Sequence, residues 1–320
     1  MKIRRTAPAA LLAATAASAL LLSGCAGTDD AKADTGAGAK LRVIAAFYPM
    51  KFIAQQVGGP HVKVTNLTKA GAEPHDLELT PRQVGAVSQA DLVVYLKGLQ
   101  PAVDKAISQN RPKHTVEAGK FAPLEEHGTE VHGAEEDGHE GHDHADAEHG
   151  DPHVWLDPTR LAAIAGGVGE SLAAADPVNA ADYRARAADL TARLNTLDGE
   201  FTAGLTTCAR RDFVTAHAAF GYLAERYHLN QISVNGVNPE SEPSPARRAD
   251  IQKLARERGV TTIFFETLAE PKTARTLAQD LNVQTAVLDP LEGIKDEAEN
   301  DYFSVMRANL DALRKGLGCS

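Results

Sequence analysis

Five side chains stand where they could share one chemical task. His75 lies in the loop GAEPHDLEL, His153 in DPHVWLDP, and His217 closes the run DFVTAH. Asp289 closes VQTAVLD and Glu266 closes VTTIFFE. Three imidazoles and one carboxylate make a tetrahedral zinc set, with metal–ligand distances near 2 Å. Asp289 is the candidate fourth ligand. Glu266 reads better as the hydrogen-bond partner that orients a ligating histidine than as a ligand itself. Each residue also has a plainer reading. His75 fits an Asx-type turn with Asp76, and His153 fits a packed cap between Pro152 and the only tryptophan. His217 fits a satisfied core histidine, and Asp289 before Pro290 fits a turn cap. His61, His114 and His228 fall at strand edges or helix ends and carry no assigned role.

The elements that must position these residues alternate along the chain. Strands are expected at 41–47, 61–67, 91–96 and 114–118, with helices at YPMKFIAQQVGG, at PRQVGAVSQA after the cap Thr80, and at PAVDKAISQN. Asp157-Pro158 opens a further helix. From Val178 to about Leu205 apolar residues recur at three- and four-residue spacing, which predicts one long helix. The alternation then resumes, with strands at 212–217, 260–266 and 283–289 and a last helix over about 299–317. This pattern predicts an α/β fold of two lobes, each a mostly parallel sheet with flanking helices, joined by one long rigid helix. The expected divisions are 41–176, 177–206 and 207–320. In open α/β sheets ligands bind beyond the carboxyl ends of the strands. All five residues fall at such ends or in the loops beyond them, so facing lobes would gather them in a cleft.

The chain has 320 residues and a formal net charge of −10. Residues 125–151, EEHGTEVHGAEEDGHEGHDHADAEHGD, hold eleven acids and no Lys or Arg, so the rest is nearly neutral. Without a basic patch, nucleic acid is not an expected partner. The same stretch holds His127, His132, His139, His142, His144 and His149. It lacks the apolar residues of a fixed cage and reads as a disordered loop inserted in the first lobe. Histidines among carboxylates there would bind zinc weakly, as a collector beside the tight site, whose first ligand His153 lies just beyond. A solvated acidic loop is the plainer reading. At the N-terminus MKIRR precedes an apolar run from Ala9 to Leu22, which reads as an export signal over residues 1–25. Leu22-Ser23-Gly24-Cys25 resembles a lipobox, making Cys25 the lipid-bearing residue and 26–40 a flexible tether. Cys208 and Cys319 remain. Outside the cytoplasm such a pair is expected as a disulfide, with free or metal-binding thiols as the alternative.

GAEPHDLELTP, HVWLDP, VTAHAAFGYLAERY, EPSP, IFFE and VLDPLEG together resemble the signature segments of the metal-binding lipoproteins that serve zinc and manganese ABC importers. The resemblance runs from about residue 41 to the C-terminus. It implies lobes joined by a long helix, ligands at His75, His153, His217 and Asp289, and no catalysis. It also implies an extracytoplasmic, lipid-anchored monomer that hands its ion to a membrane permease. Manganese-type members place a carboxylate where His217 stands here, and imidazole suits Zn²⁺ better than Mn²⁺. The expectation is one tight Zn²⁺ site with weaker sites in the histidine-rich loop. Alternatives are a binding protein for manganese or another divalent ion, or a zinc-dependent adhesin. A zinc hydrolase fits less well, because no HExxH helix or Ser/His/Asp arrangement is present.

Overall fold

The computed structural model describes residues 40–127, 150–239, 243–268 and 271–320. The expected export signal with Cys25, all but the last residue of the expected tether 26–40, and five loop histidines (His132, His139, His142, His144 and His149) lie outside the described residues. Two four-stranded parallel sheets form the frame. The first contains β1 (Leu41–Ala45), β2 (Val62–Asn66), β3 (Leu92–Tyr95) and β4 (Thr115–Glu117), in the order β2-β1-β3-β4. The second contains β5 (Asp212–Thr215), β6 (Asn230–Ser233), β7 (Thr262–Phe265) and β8 (Gln284–Val287), in the order β6-β5-β7-β8. The two orders are the same, so each lobe has a switch point beside its first strand. This is where an open parallel sheet offers a crevice.

Helices α1 (Tyr48–Gly58), α2 (Pro81–Ser88), α3 (Pro101–Asn110) and α4 (Pro158–Ala175) flank the first sheet. Their starts follow local chemistry. The Thr80 hydroxyl accepts from the Gln83 amide, and Gln83 returns the bond to the Thr80 N–H at 3.0 Å, which makes a capping box before Pro81. Asp157 caps α4 by accepting from Thr159 N at 2.7 Å. Pro177–Asn179 forms one 3-10 turn, and α5 runs from Ala180 to Leu205. At 1.5 Å per residue its length is roughly 39 Å.

Along α5 the residues Tyr183, Ala187, Leu190, Leu194, Leu197, Phe201 and Leu205 are buried. They face α4, α1 and the C-terminal helix α9 (Tyr302–Leu317). Helices α6 (Gly221–Arg226), α7 (Pro245–Glu257) and α8 (Lys272–Leu281) complete the second lobe. One apolar core is continuous across both lobes, taking in Val43, Val93, Ile164, Leu194, Phe213, Tyr222, Leu288 and Tyr302. A smaller core around Val214, Ile232, Ile251, Ile263 and Leu277 lies under α7 and α8.

Polar ties reinforce the junction. Trp155 Nε1 donates to the carbonyl of Pro290 at 2.7 Å, and Tyr302 Oη donates to the carbonyl of Trp155 at 2.7 Å. Phe52 on α1 stacks on Tyr302 with ring centroids 5.4 Å apart. Cys208 and Cys319 are joined as a disulfide across 111 positions, pinning the end of α9 beside the end of α5. No helix among the described residues is long and apolar enough to cross a membrane.

If α5 is a structural spine, Leu194→Ala should cost roughly 2–5 kcal/mol, the usual range for emptying a leucine site in a core. Val178→Ala, just before α5 at 91% exposure, should change stability by less than about 0.5 kcal/mol. Denaturant unfolding of both variants makes the comparison. Equal, small effects would show that α5 is not part of the core.

Candidate metal centre

His75, His153, His217 and Glu292 come together at the junction of the lobes. Glu292 Oε1 lies 3.2 Å from His75 Nε2, 3.1 Å from His153 Nε2 and 3.3 Å from His217 Nε2. In a tetrahedron with bonds of about 2.0–2.1 Å, ligand atoms stand about 3.3 Å apart. Each imidazole is thus about one ligand-to-ligand distance from the carboxylate oxygen. His153, His217 and Glu292 are fully buried, and the His75 side chain keeps 10% of its surface exposed. A pocket of about 240 Å³ opens beside His75, between Asp76, Lys97, Pro152 and Asn238. The approach from solvent is therefore over His75.

Each histidine is held in place from behind. His153 Nδ1 meets Asp151 Oδ1 at 2.7 Å, and the same oxygen accepts from His153 N at 2.9 Å. His217 Nδ1 meets Glu266 Oε1 in a short hydrogen bond. In both rings a buried carboxylate engages Nδ1 and leaves Nε2 facing the centre. This is the usual way a protein fixes the tautomer of a ligating histidine. Gln231 Nε2 donates to the His217 carbonyl at 2.9 Å and so fixes the backbone after β5. The His75 loop is fixed by buried Gln100, which donates to the Pro74 carbonyl at 3.1 Å, and by Glu73, which accepts from His75 N at 2.9 Å.

The carboxylate in the cluster is not the one the sequence pattern singles out. Both oxygens of Asp289 are engaged elsewhere. Thr267 Oγ1 donates to one at 2.6 Å, and Leu291 N donates to the other at 2.8 Å. The backbone of Asp289 exchanges two hydrogen bonds with the Asn309 side chain on α9. Asp289 is thus the turn cap, and the turn carries Glu292 into the cluster. Leu291 takes a left-handed conformation at φ 58°, which is unfavourable for a residue with a Cβ. Its buried side chain and the Asp289 bond hold it there. Glu292 lies inside the segment VLDPLEG, but only the sense of this turn distinguishes it from Asp289. Glu266 sits behind His217, with its Oε1 on the ring Nδ1. Glu73 was not singled out in the sequence and borders the cluster.

Electrostatics follow from the burial. Burial by itself disfavours charge on His153, yet its hydrogen bonds to Asp151 and Glu292 hold it above the ordinary histidine value. For His217 burial is likewise outweighed by Glu266 and Glu292, and its pKa is held well above the ordinary value. The three imidazoles keep the Glu292 carboxyl well below the usual range despite its burial. Burial, and then the Glu292 charge, push Glu73 up to about 8. Among the described residues, His217 Nε2 and Glu292 Oε2 are buried with no hydrogen-bond partner. Protons and one carboxylate therefore satisfy this donor set incompletely. A divalent cation would bind all four groups at once.

Of the loop histidines, His127 is described. It does not join this cluster. Its Nδ1 meets Asp151 Oδ2 at 2.9 Å and its Nε2 meets Glu225 at 3.1 Å.

The model of the family described as "ZnuA: Zinc-uptake complex component A periplasmic" matches residues 43–316. The chain belongs to this family. It is 35% identical over 309 residues to the high-affinity zinc uptake system protein ZnuA of Bacillus subtilis, covering 94% of this chain and 95% of that protein. It is 38% identical over 286 residues to the zinc-binding protein AdcA of Streptococcus pyogenes, covering 86% of this chain and 56% of AdcA. The chain thus spans little more than half the length of AdcA. Among solved structures it resembles the Zn(II)-bound ZnuA-like domain of Streptococcus pneumoniae AdcA, with a TM-score of 0.71 and 32% identity, over 87% of this chain and 99% of that one.

The pKa shifts predict how the metal-free protein responds to pH. A histidine raised in the fold stabilises it fully below its unfolded value near 6.5, and this is lost as pH rises through the folded value. Glu292, depressed in the fold, adds stability above the ordinary carboxylate range, and this is lost as pH falls through its folded value. Stability in chelator should therefore decline as pH rises past the raised histidine values, and Glu292→Gln should weaken that decline. Denaturant unfolding between pH 5 and 9 measures it. Stability that climbs steadily to pH 9 would mean the buried imidazoles are neutral in the fold.

Proposed function

We propose that this chain captures Zn²⁺ at His75, His153, His217 and Glu292 and hands it to the membrane permease of a zinc ABC importer. The observation that carries the reading is the buried arrangement of three imidazoles around one carboxylate oxygen at 3.1–3.3 Å. Four protein ligands leave no position for a water to be activated, as a catalytic zinc would need. The reading is therefore of a carrier and not a hydrolase. Imidazole at position 217 favours zinc over manganese. Asp151 and Glu266 orient His153 and His217 in this scheme. Asp289 builds the turn that presents Glu292.

The same proposal covers the parts of the chain that lie outside the described residues. Residues 1–25 act as the export signal, Cys25 carries the lipid, and 26–40 tether a monomeric body to the outer face of the cell membrane. The divisions 41–176, 177–206 and 207–320 then correspond to the first metal-binding lobe, the linking helix and the second lobe. The histidines of 125–151, His127 included, gather zinc weakly beside the tight site.

Two variants separate ligand from turn. In a chelator-competition titration Glu292→Gln should weaken zinc binding at least about a hundredfold, within the penalty for losing a charged ligand in a buried site. Asp289→Asn keeps hydrogen-bonding capacity at the turn and should weaken it far less. The reverse order would make Asp289 the ligand and remove Glu292 from the site. Deleting 128–149 should keep one tight zinc and remove weak ones. Loss of the tight zinc on that deletion would refute the division between collector and site.

A further inference from the structure

Residues 288–301 lie between β8 and α9 and form neither helix nor strand. This stretch carries Glu292 and belongs to the second lobe, yet it is fastened to both lobes. Lys295 Nζ donates to the carbonyl of Thr267, the neighbour of Glu266, at 2.8 Å. Glu297 pairs with Lys51 on α1 in the first lobe. Around Gly293 the stretch lies directly against the loop that carries His75. A Cβ on Gly293 would stand 3.2 Å from the Ala72 carbonyl oxygen, and one on Gly71 would stand 2.8 Å from Lys295 Cγ. Gly71 also has φ 70°, so glycine there serves both the turn and the close approach.

The Lys51–Glu297 pair is the outer fastening of this stretch. The two side chains keep 19% and 28% of their surface exposed, so water and salt screen the pair only in part. A local turn aims Glu297 at α1. Asp296 Oδ1 accepts from Ala298 N at 3.1 Å, and the Asp296 carbonyl accepts from Asn300 N at 3.1 Å. The inner residues Leu291 and Ile294 are buried, whereas residues 295–300 are exposed. Because the lobes share one apolar core, Glu292 is not withdrawn by swinging a whole lobe away. The local route is to lift the exposed half of this stretch, and that movement breaks the Lys51–Glu297 pair first.

We propose that Lys51 and Glu297 are positioning residues for zinc retention: their ion pair holds the Glu292 stretch against the His75 loop, and zinc leaves the centre when that pair opens. The inference rests on the reading of His75, His153, His217 and Glu292 as the zinc ligands. Neither Lys51 nor Glu297 belongs to that cluster. They act through Glu292, the one carboxylate of the set, by keeping its stretch in place. The pocket beside His75, lined by Asp76, Lys97, Pro152 and Asn238, includes neither residue. The pair therefore governs release of the ion and not its capture, as a fastening that tunes the dissociation step of a bound charge should.

The test loads the full chain with one equivalent of Zn²⁺ and follows its release into an excess of fluorescent chelator by stopped flow. Weakly held ions leave in a fast phase, and the tight centre empties in a slow one. Lys51→Met and Glu297→Gln should each speed the slow phase about fivefold, the scale of one partly screened ion pair. The double variant should be no faster than either single one, because both remove the same interaction. Lys51→Arg keeps the charge and should release zinc at the parent's rate. The association rate should be the same in all of them. A slow phase unmoved by both single variants would overturn the proposal. So would a double variant faster than both, or an effect confined to the association rate. A slow phase that Glu292→Gln leaves unchanged would instead overturn the ligand set, so the two failures are distinguishable.

Discussion

A carboxylate with no exposure to water must find its compensation inside the protein, and Glu292 sets that requirement for the whole junction. Three imidazoles answer it, and each brings its own supports. His153 needs Asp151, His217 needs Glu266, and the His75 loop needs Gln100 and Glu73. Glu292 in turn reaches the cluster only because Asp289 caps a turn with Leu291 left-handed. The polar centre is therefore a chain of dependencies across four loops from two sheets. Such a network is stable only when every member is satisfied. Within the cluster, His217 Nε2 and Glu292 Oε2 are left without a hydrogen-bond partner, which is where the proposed cation would complete it.

The apolar frame makes these distances possible. Loops that belong to different lobes can hold spacings of 3.1–3.3 Å only if the lobes themselves are fixed. The continuous core, the spine α5 and the Trp155–Pro290 bond fix them. Trp155 is two residues from His153, and Pro290 is two residues from Glu292. A buried cross-lobe tie is thus placed directly behind two of the proposed ligands.

Much of this was legible in the chain. Strands and helices alternate with clear turn chemistry, and His75, His153 and His217 fall where parallel sheets place their ligands. Two features were hidden for physical reasons. Asp289 and Glu292 sit three residues apart in one segment, and the choice between them depends on a left-handed leucine. Such a conformation is signalled when glycine occupies it and carries no signature when leucine does. His127 appeared as one of six equivalent histidines in a polar stretch. What sets it apart is a contact with Gly221 and Tyr222, almost a hundred positions away in sequence. Local composition cannot carry that information. The continuity of the core across the lobes was equally invisible, because periodicity shows which face of a helix is buried but not against what.

The shared core has a further consequence. Lobes that close around a ligand like jaws can reject a wrong ion by failing to shut, but these two lobes share one buried apolar core. A mould of this kind accepts whatever fits its shape and charge. Cu²⁺ binds nitrogen and oxygen donors more strongly than Zn²⁺ does, so the donor set alone does not exclude it. Discrimination by such a centre would then rest on which ions reach it.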